Sequence, residues 1–576
     1  MTISRYSSWL QVGDDDLFFW HHFPDKICSQ TAVIIIGPIG PEYMHCFRSV
    51  KLLADELAHS GYHSIRYDPI GMGNSSGNLE DCNIWDKWIG SPHKLTEYLS
   101  KEYSIKEVIL IGLRSGCIVL SDTIKKLFVR NAVFWYPYAQ GAKFIRDIQL
   151  LDKLLYKNIE ISNDKILDGG GYPITAELQS EINKINLVSQ DYNKLENALV
   201  INSKETTSKS RLYNKFIAED INAESLYLEG LDAMTKQAAI SKIPYSNIKS
   251  IIEWLNKTVI KKREESKTTQ NKSLGYTHNN FKEVVFNIPS QRNIFSILTT
   301  PIKENIKKIV IIVNTGAAHH VGPNRFHADA ARLLAEHGVS TLRMDLSNLG
   351  DSTYIYDDDA HHPYPQNATE DIDIVIECIA GELKYKDIIL CGLCSGAHNI
   401  FHAAIKSKNK HLQKIIIINP LTFYWKPGQS IFAPEEYQAE IEEVYYQKQM
   451  YDYKKWLKLV TNPKKIINIV RFILLYIVKK CKSVFASMQG IFKVKADNIL
   501  EHDIEKLGEK NISISLIYSK DDPGQKILMS KASGIIKIHS KRNLYSSIEI
   551  PDADHTFSSR QSRQKLLEAL INCVIH

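Results

Sequence analysis

The chain has 576 residues, of which 44% are hydrophobic and 24% charged, and its formal net charge is +6. This length exceeds the range over which one hydrophobic core usually keeps growing, so two domains are expected. The composition is ordinary for a globular protein, and the small net charge disfavours a surface for nucleic acid or anionic membrane.

The cysteines and the N-terminus indicate a cytoplasmic protein. Nine cysteines are dispersed along the chain, and only Cys391 and Cys394 form a CxxC pair. Such spacing is typical of reduced thiols, and a single pair does not predict a zinc site. Residues 1–19 contain acidic residues where a signal peptide would need an apolar core. We therefore expect no disulfide framework and a cytoplasmic location.

The first half, 1–257, is predicted to be an α/β domain. Apolar strand-like runs alternate with helical periodicity, which is typical of βαβ units in a mostly parallel sheet flanked by helices. Strands are expected at 32–36, 64–68, 107–111 and 131–135, a helix at 49–60, and a mainly helical insertion at about 143–195.

The second half, 281–576, repeats this pattern after a polar, charged segment at 258–280 that reads as a linker. A shift of 277 residues aligns Arg66 with Arg343, and the match continues without a gap. Chance explains such a match poorly, so duplication or fusion of related domains is expected. Both domains are therefore predicted to have the same fold.

A helical cap insertion is predicted in the second half at about 430–505. Its apolar segment 466–478 is shorter than the roughly 20 residues that a bilayer span needs. We interpret this segment as a helix that covers an active site, with a weak contact to a membrane surface as the alternative.

Each half contains the pattern Gly-x-x-Ser-Gly directly after an apolar strand, at 112–116 and 392–396. Glycines on either side of a sharp strand-to-helix turn permit the strain that projects a nucleophile, and the helix N-terminus favours an oxyanion. The alternative is a purely structural turn whose serine caps the helix. The sequence that follows each motif decides between these interpretations.

Only the second motif is followed by an acid and a histidine on loops after later strands. The order Ser, Asp, His is that of α/β-hydrolases. We predict Ser395 as nucleophile, His555 as general base and acid, and Asp522 as the residue that orients the imidazole. Asp521 is the alternative for that last role.

An oxyanion hole requires two backbone N–H donors. We expect one from Gly396 and one from Ala317, which lies in the loop after the strand at 309–313. His319, His320 and Arg325 follow in this loop, and they either line the pocket or are surface and loop residues.

The first half is predicted to be catalytically degenerate. No histidine occurs between His93 and His278, and the acid position is occupied at best by Glu205. Without a base, Ser115 is not an activated nucleophile. The domain would then be a scaffold, a partner or a ligand-binding unit, although a base donated by the other domain remains an alternative.

No metal, nucleotide or flavin site is expected, and no cofactor. The acidic and histidine-rich stretch 357–362 is interpreted as a solvated loop, because no second cluster faces it. His398 and His402 are four residues apart on the helix after the motif, without a third ligand nearby, so we interpret them as packing or surface residues.

Several motifs resemble one group of α/β-hydrolases. The second half is similar to the exosortase-A-system-associated hydrolases of type one, and the first half to the companion type-two family. The matching stretches in the second half are Gly322–Arg325, Leu342–Ser352, GLCSGA, Asp522–Gly524 and Asp554–Phe557, and those in the first are His45–Tyr62, Gly73–Gly77, Asn83–Trp88, GLRSG and Gly171–Leu178.

This resemblance implies a tandem fusion of two serine-hydrolase-like domains. Such families are often associated with surface polysaccharide biosynthesis, and a link to secondary-metabolite biosynthesis is also open. The sequence thus predicts a serine hydrolase that cleaves a small-molecule ester or thioester through an acyl-enzyme and binds no nucleic acid. Acyl transfer by the same triad and a non-catalytic binding or assembly role are the alternatives.

The cap insertion and the residues just before it carry aromatic side chains that could select an apolar acyl group or form the core of the cap. These residues are Phe423, Tyr424, Trp425, Tyr445, Tyr446, Trp456 and Phe472.

Overall fold

A computed structural model describes most of the chain. The described residues are 4–24, 27–155, 166–203, 210–259, 263–265, 275–288, 292–303, 306–352, 361–431, 498–520 and 522–576. Most of the predicted cap insertion, including 466–478, therefore lies outside them, as do Asp521, Glu205 and 357–360.

The strands alternate with helices in both halves, as predicted. Those of the first half are β1 (Arg5–Val12), β2 (Asp15–His22), β3 (Ile27–Ser29), β4 (Thr31–Ile36), β5 (His63–Tyr67), β6 (Glu107–Leu113), β7 (Asn131–Trp135), β8 (Asn197–Asn202) and β9 (Asn222–Tyr227). Those that follow are β10 (Arg263–Glu265), β11 (Tyr276–Thr277), β12 (Phe281–Val285), β13 (Ser296–Pro301), β14 (Ile306–Ile312), β15 (Val339–Met344), β16 (Asp387–Leu393), β17 (Leu412–Ile418), β18 (Ser513–Ser519) and β19 (Tyr545–Ile550).

The α-helices of the described residues cover both faces of the sheets. They are α1 (Pro41–His45), α2 (Phe47–His59), α3 (Ile84–Tyr103), α4 (Gly116–Lys126), α5 (Gly141–Leu155), α6 (Ala176–Lys184), α7 (Arg211–Ala218), α8 (Leu231–Met234), α9 (Tyr245–Thr258), α10 (Phe326–Glu336), α11 (Ala368–Gly381), α12 (Ser395–Lys406), α13 (Ile499–Glu509), α14 (Gly524–Lys541) and α15 (Arg560–Ile575). None of the helices in this part of the chain is both long and apolar enough to cross a bilayer.

The two large sheets have the same topology. The first has the order β1-β2-β5-β4-β6-β7-β8-β9, and the second has β11-β12-β13-β15-β14-β16-β17-β18-β19. In the first sheet β2 is antiparallel to both neighbouring strands, and in the second sheet β13 is. The strands that follow each of them in the order are parallel to one another. Apart from the short extra strand β11, both sheets have the strand order of the α/β-hydrolase fold. The fold prediction of two tandem domains is confirmed.

The antiparallel hairpins that open each sheet were not expected from the sequence. In the first half β1 pairs with β2, and in the second β12 pairs with β13. Within the segment expected to be a linker, β10 pairs with β3. The strands β1 (RYSSWLQV) and β12 (FKEVV) mix polar and apolar residues, so their pattern is weaker than that of a parallel strand buried on both faces.

An aromatic core joins the two halves. It is formed by residues of β1 and β2, such as Trp9 and Trp20, together with residues of β11, β12 and β13 and with Phe295, which directly precedes β13. Trp20 and Phe295 have ring centroids 4.9 Å apart, and both are buried. Burial of side chains of this size stabilises the contact between the halves by several kcal/mol, at roughly 1.5–3 kcal/mol each.

Candidate active site

The turn between β16 and α12 has the geometry of a nucleophile elbow. Cys394 lies between the strand and the helix, with a φ of 59° and a ψ of −117°. A non-glycine residue rarely adopts this conformation, and such strain is typical of a residue held out from the backbone for function. Side chains on the flanking glycines would clash: a Cβ on Gly392 would lie 2.3 Å from the Gly396 carbonyl carbon, and one on Gly396 would lie 2.6 Å from the Asn314 oxygen.

The strained position belongs to Cys394, whereas Ser395 was the predicted nucleophile. Ser395 is the first residue of α12 and is 1% exposed, and its Oγ accepts a hydrogen bond of 2.9 Å from the Gly316 N–H. In the first half, Ser115 Oγ accepts an equivalent bond of 2.8 Å from the Ile39 N–H. The serine thus fixes the neighbouring loop in both halves, and Ser395 as nucleophile stays a prediction that the elbow conformation of Cys394 does not favour.

His555 and Asp522 come together as predicted from their spacing. His555 Nδ1 lies 2.6 Å from Asp522 Oδ2, on the loops after β19 and β18. The Asp522 side chain is buried, and the His555 side chain is 31% exposed. His555 Nε2 has no hydrogen-bond partner among the described residues. The imidazole is therefore held at one nitrogen and available at the other.

Asn419, which the sequence did not single out, connects these loops. It follows β17, is fully buried, and donates from Nδ2 to the His555 carbonyl at 2.8 Å. Its Oδ1 accepts a bond of 2.9 Å from the Ser519 N–H. One amide thereby fixes the ends of the histidine and aspartate loops relative to each other, a contact between distant segments that has no local sequence signature.

The surroundings of His555 favour its protonated form. Burial lowers the pKa of His555, but the neighbouring Cys394 side chain and the hydrogen-bonded Asp522 carboxylate raise it by more, to about 10 instead of 6.5. An imidazole with this pKa readily holds a proton taken from a thiol. The geometry thus places a thiol, an imidazole and a carboxylate in the order that a catalytic triad requires.

This raised pKa predicts a pH-dependent contribution of His555 to stability. A group whose pKa is raised on folding stabilises the protein below its unfolded pKa of about 6.5, and the stabilisation is lost as the pH rises towards 10. We expect His555→Gln to lower the free energy of unfolding at pH 6, and this effect to diminish by pH 10.5. Urea unfolding across this range measures it, with Asp522→Asn as the companion variant, and a pH-independent difference would contradict the assignment.

The donors for an oxyanion also move by one position. With Cys394 at the elbow, the residue after it is Ser395, so the first N–H is that of Ser395 and not of Gly396. In the loop after β14, the Gly316 N–H points at the elbow, because it donates to Ser395 Oγ. Gly396 and Ala317 stay predictions, and Ser395 and Gly316 are the donors that fit an elbow centred on Cys394.

The corresponding elbow of the first half carries an arginine. Arg114 has a φ of 56° and lies between β6 and α4. Its Nε and Nη2 bind the Glu42 carboxylate at 3.0 Å each, and Nη2 donates to the Tyr138 hydroxyl at 2.7 Å. A guanidinium cannot act as an acyl nucleophile, and no histidine is available on the loop at 228–234. The degenerate site around Ser115 stays a prediction.

Aromatic side chains lie near Cys394. The rings of Tyr364 and Trp425 stack with centroids 5.1 Å apart, and His362 lies 4.7 Å from the Trp425 ring. Burial and the nearby Cys394 side chain raise the pKa of Tyr364. His398 contacts Tyr364 edge-on at 5.1 Å, so it belongs to this cluster and not to the helix surface.

The other predicted aromatic residues are partly placed. Phe423 is 1% exposed and packs on Phe401 in the core, and the Tyr424 hydroxyl donates to Asp503 at 2.7 Å. Phe423 is thus a core residue, and Tyr424 is anchored to Asp503. Tyr445, Tyr446, Trp456 and Phe472 lie outside the described residues.

His319, His320 and Arg325 are buried between the two halves, at 2%, 1% and 8% exposure. Surface positions for them are therefore excluded. His320 forms a compact group with Asp345 and Asp351, whose ligand atoms lie within 4.8 Å of one another. The guanidinium of Arg66 binds Asp351, and His320 Nδ1 lies 2.7 Å from Asp345, so the polar atoms of the group already have partners within the protein. We interpret the group as a hydrogen-bond network and not as a metal site.

Comparison with known proteins supports no narrower assignment than the fold. No family model and no curated protein matches this sequence. Solved structures of α/β serine hydrolases and esterases are similar to about half of the chain. An alpha-beta serine hydrolase homologue from Coxiella burnetii is 13% identical, covers 52% of this chain and 99% of its own, and has a TM-score of 0.29. Dienelactone hydrolase from Anabaena variabilis is 9% identical, covers 52% of this chain and 99% of its own, and has a TM-score of 0.31. The esterase Pf2001 from Pyrococcus furiosus is 16% identical, covers 44% of this chain and 91% of its own, and has a TM-score of 0.32.

Proposed function

We propose that the C-terminal half hydrolyses a small-molecule ester or thioester with Cys394 as nucleophile, His555 as general base and acid, and Asp522 as its orienting partner. One observation carries this proposal: the residue with the strained elbow conformation is a cysteine, and its side chain lies beside an imidazole whose other nitrogen binds a buried carboxylate. This is the arrangement by which a weak nucleophile is activated.

The reaction would proceed in two steps. The Cys394 sulfur attacks the acyl carbon while its proton passes to His555 Nε2, and the resulting oxyanion is stabilised by the N–H groups of Ser395 and Gly316. The bond to the leaving alcohol or thiol then breaks, and His555 returns the proton to the leaving group. Water next gives a proton to His555 and attacks the thioester at Cys394, which releases the acid and restores the thiol.

The aromatic cluster supports an apolar or planar group on the substrate. The Tyr364 and Trp425 rings stack within 5° of parallel, and a flat wall of this kind favours contact with an acyl chain or an aromatic ring.

Covalent labelling tests the proposed nucleophile without knowledge of the substrate. The protein should react at Cys394 with iodoacetamide, and a fluorophosphonate should not label Ser395. Because Cys82 is exposed, the experiment is done in a Cys82→Ser background. The tryptic peptide 387–406 also contains Cys391, so fragment ions must locate the adduct.

His555→Ala should slow this alkylation by about tenfold or more, because thiolate formation depends on the imidazole. Ser395→Ala is the matched control and should retain it. Fluorophosphonate labelling that is lost in Ser395→Ala would instead restore the serine assignment.

A further inference from the structure

The two halves meet through equivalent positions of their sequences. Arg343 donates to the Asn74 Oδ1 at 2.8 Å, while Arg66 binds Asp351. Arg66 and Arg343 are 277 residues apart, as are Asn74 and Asp351, so each half offers the same arginine and the same loop position to the other. The interface is therefore built like that of a symmetric dimer, with both copies in one chain.

Arg325 attaches the oxyanion loop, residues 314–325, to the first half. Its guanidinium donates to four backbone carbonyls of the loop 71–77 of the first half. These bonds are 3.0 Å to Gly71, 3.2 Å to Gly73, 2.6 Å to Ser75 and 2.8 Å to Gly77. Because the guanidinium is a planar fork of five N–H donors, this set of contacts fixes its orientation as well as its position.

Two histidines of the same loop add contacts to the first half. The His319 ring stacks on Phe47 with centroids 4.2 Å apart and an interplanar angle of 20°. His320 Nε2 lies 3.0 Å from Asn74 Nδ2. The second part of the oxyanion loop is therefore packed against the first half over several residues.

Asp345 connects His320, which contacts the first half, with Asn314, which lies beside the elbow. Asp345 accepts hydrogen bonds from the His320 N–H and from Asn314 Nδ2, each at 2.7 Å, and Asn314 Nδ2 also donates to the Ala318 carbonyl at 2.9 Å. Both ends of the segment 314–320 are thus anchored, and Gly316 lies between them with its N–H directed at Ser395 Oγ.

We propose that the first half, itself without a nucleophile, is a positioning partner for the oxyanion loop of the second half, and that Arg325 is the main positioning residue. This inference rests on the function proposed above for Cys394. A donor must lie within a few tenths of an ångström of the oxyanion to stabilise it, so a loop released by the first half would lose transition-state stabilisation while the thiol and imidazole remain in place.

The test uses the full chain and two separate readouts. Turnover of a p-nitrophenyl ester depends on the oxyanion hole, whereas alkylation of Cys394 by iodoacetamide depends on the thiol and His555 but forms no oxyanion. In Arg325→Ala we expect kcat to fall about 100-fold, as for a displaced catalytic donor, with KM and the alkylation rate within about twofold of the parent. Arg325→Lys, which restores some of the bonds, should recover part of kcat.

Phe47→Ala removes the ring on which His319 of the oxyanion loop stacks, and so tests the contact from the side of the first half. The Phe47 side chain is only partly buried, so the fold should tolerate its loss. We expect about a tenfold fall in kcat with alkylation unchanged. The control is Glu80→Gln, which removes an exposed ion pair with Arg560 elsewhere between the halves and should leave kcat unaffected.

An unchanged kcat in folded Arg325→Ala and Phe47→Ala would overturn the proposal, and so would a parallel fall of kcat and alkylation rate, which indicates general loosening. Failure of the Cys394 assignment is recognised separately, because turnover in the parent would then survive Cys394→Ala.

Discussion

Replacing Cys394 by alanine should reduce kcat/KM for a p-nitrophenyl ester by about 10⁴-fold or more, because the covalent route is lost together with the proton transfer that His555 performs for it. His555→Ala should cause a loss of similar size, since the triad acts as a unit. The measurement is steady-state hydrolysis, with a burst of p-nitrophenol in the parent if deacylation is slower than acylation. No burst should remain in the variant.

The matched comparison is Ser395→Ala. In the parent, the Ser395 hydroxyl accepts a hydrogen bond of 2.9 Å from the Gly316 N–H. The loss of one such hydrogen bond, worth about 1 kcal/mol, corresponds to roughly a fivefold fall in kcat/KM. We therefore expect Ser395→Ala to remain active. If instead Ser395→Ala is inactive and Cys394→Ala is not, the nucleophile is the serine and the strain at Cys394 has another cause.

The fold was predictable because its main signal is local. The strands β4, β6 and β16 are runs of apolar residues buried on both faces of a parallel sheet, so each is visible as a short hydrophobic segment before a turn. The match of the two halves at a spacing of 277 residues added independent support. The hairpin β1–β2 was not predicted, although β2 contains the buried apolar run Leu17–Trp20.

The active site was only partly predictable. His555 and Asp522 were identified from their order and their places after strands, and the structure brings them to 2.6 Å. The sequence pattern was centred on Ser395, whereas the strained elbow conformation belongs to Cys394, the middle residue between Gly392 and Gly396. The proposed nucleophile and oxyanion donors therefore differ by one position from the predicted ones.

The contacts between the halves could not be predicted from sequence patterns. Arg325, His320 and Arg343 are polar residues that would ordinarily be placed at the surface. They are buried because segments about 250 or more residues away supply their hydrogen-bond partners. Arg343 also binds Glu283 of β12. Only the assembled fold shows which charges neutralise one another.

Glu283 shows how much stability depends on these buried charges. Its side chain is fully buried in β12 and lies 2.8 Å from both Arg332 and Arg343. Burial raises the pKa of Glu283, but the two guanidinium groups and the Thr299 hydroxyl lower it by more, to about 2. The carboxylate therefore stabilises the fold above the ordinary pKa of about 4.5, and this contribution is lost as the pH falls towards 2.

Glu283→Ala should lower the free energy of unfolding by about 3–5 kcal/mol at pH 7, since it leaves two buried guanidinium groups without their counter-ion. Urea unfolding followed by tryptophan fluorescence measures the shift. The control is Glu97→Ala, which removes an exposed pair with Lys94 and should cost less than about 1 kcal/mol. Equal midpoints for the two variants would mean that Arg332 and Arg343 are neutralised by other groups. A large shift for Glu283→Ala alone would instead show that Arg332 and Arg343, which also donate to Asn74 of the first half, depend on this one carboxylate.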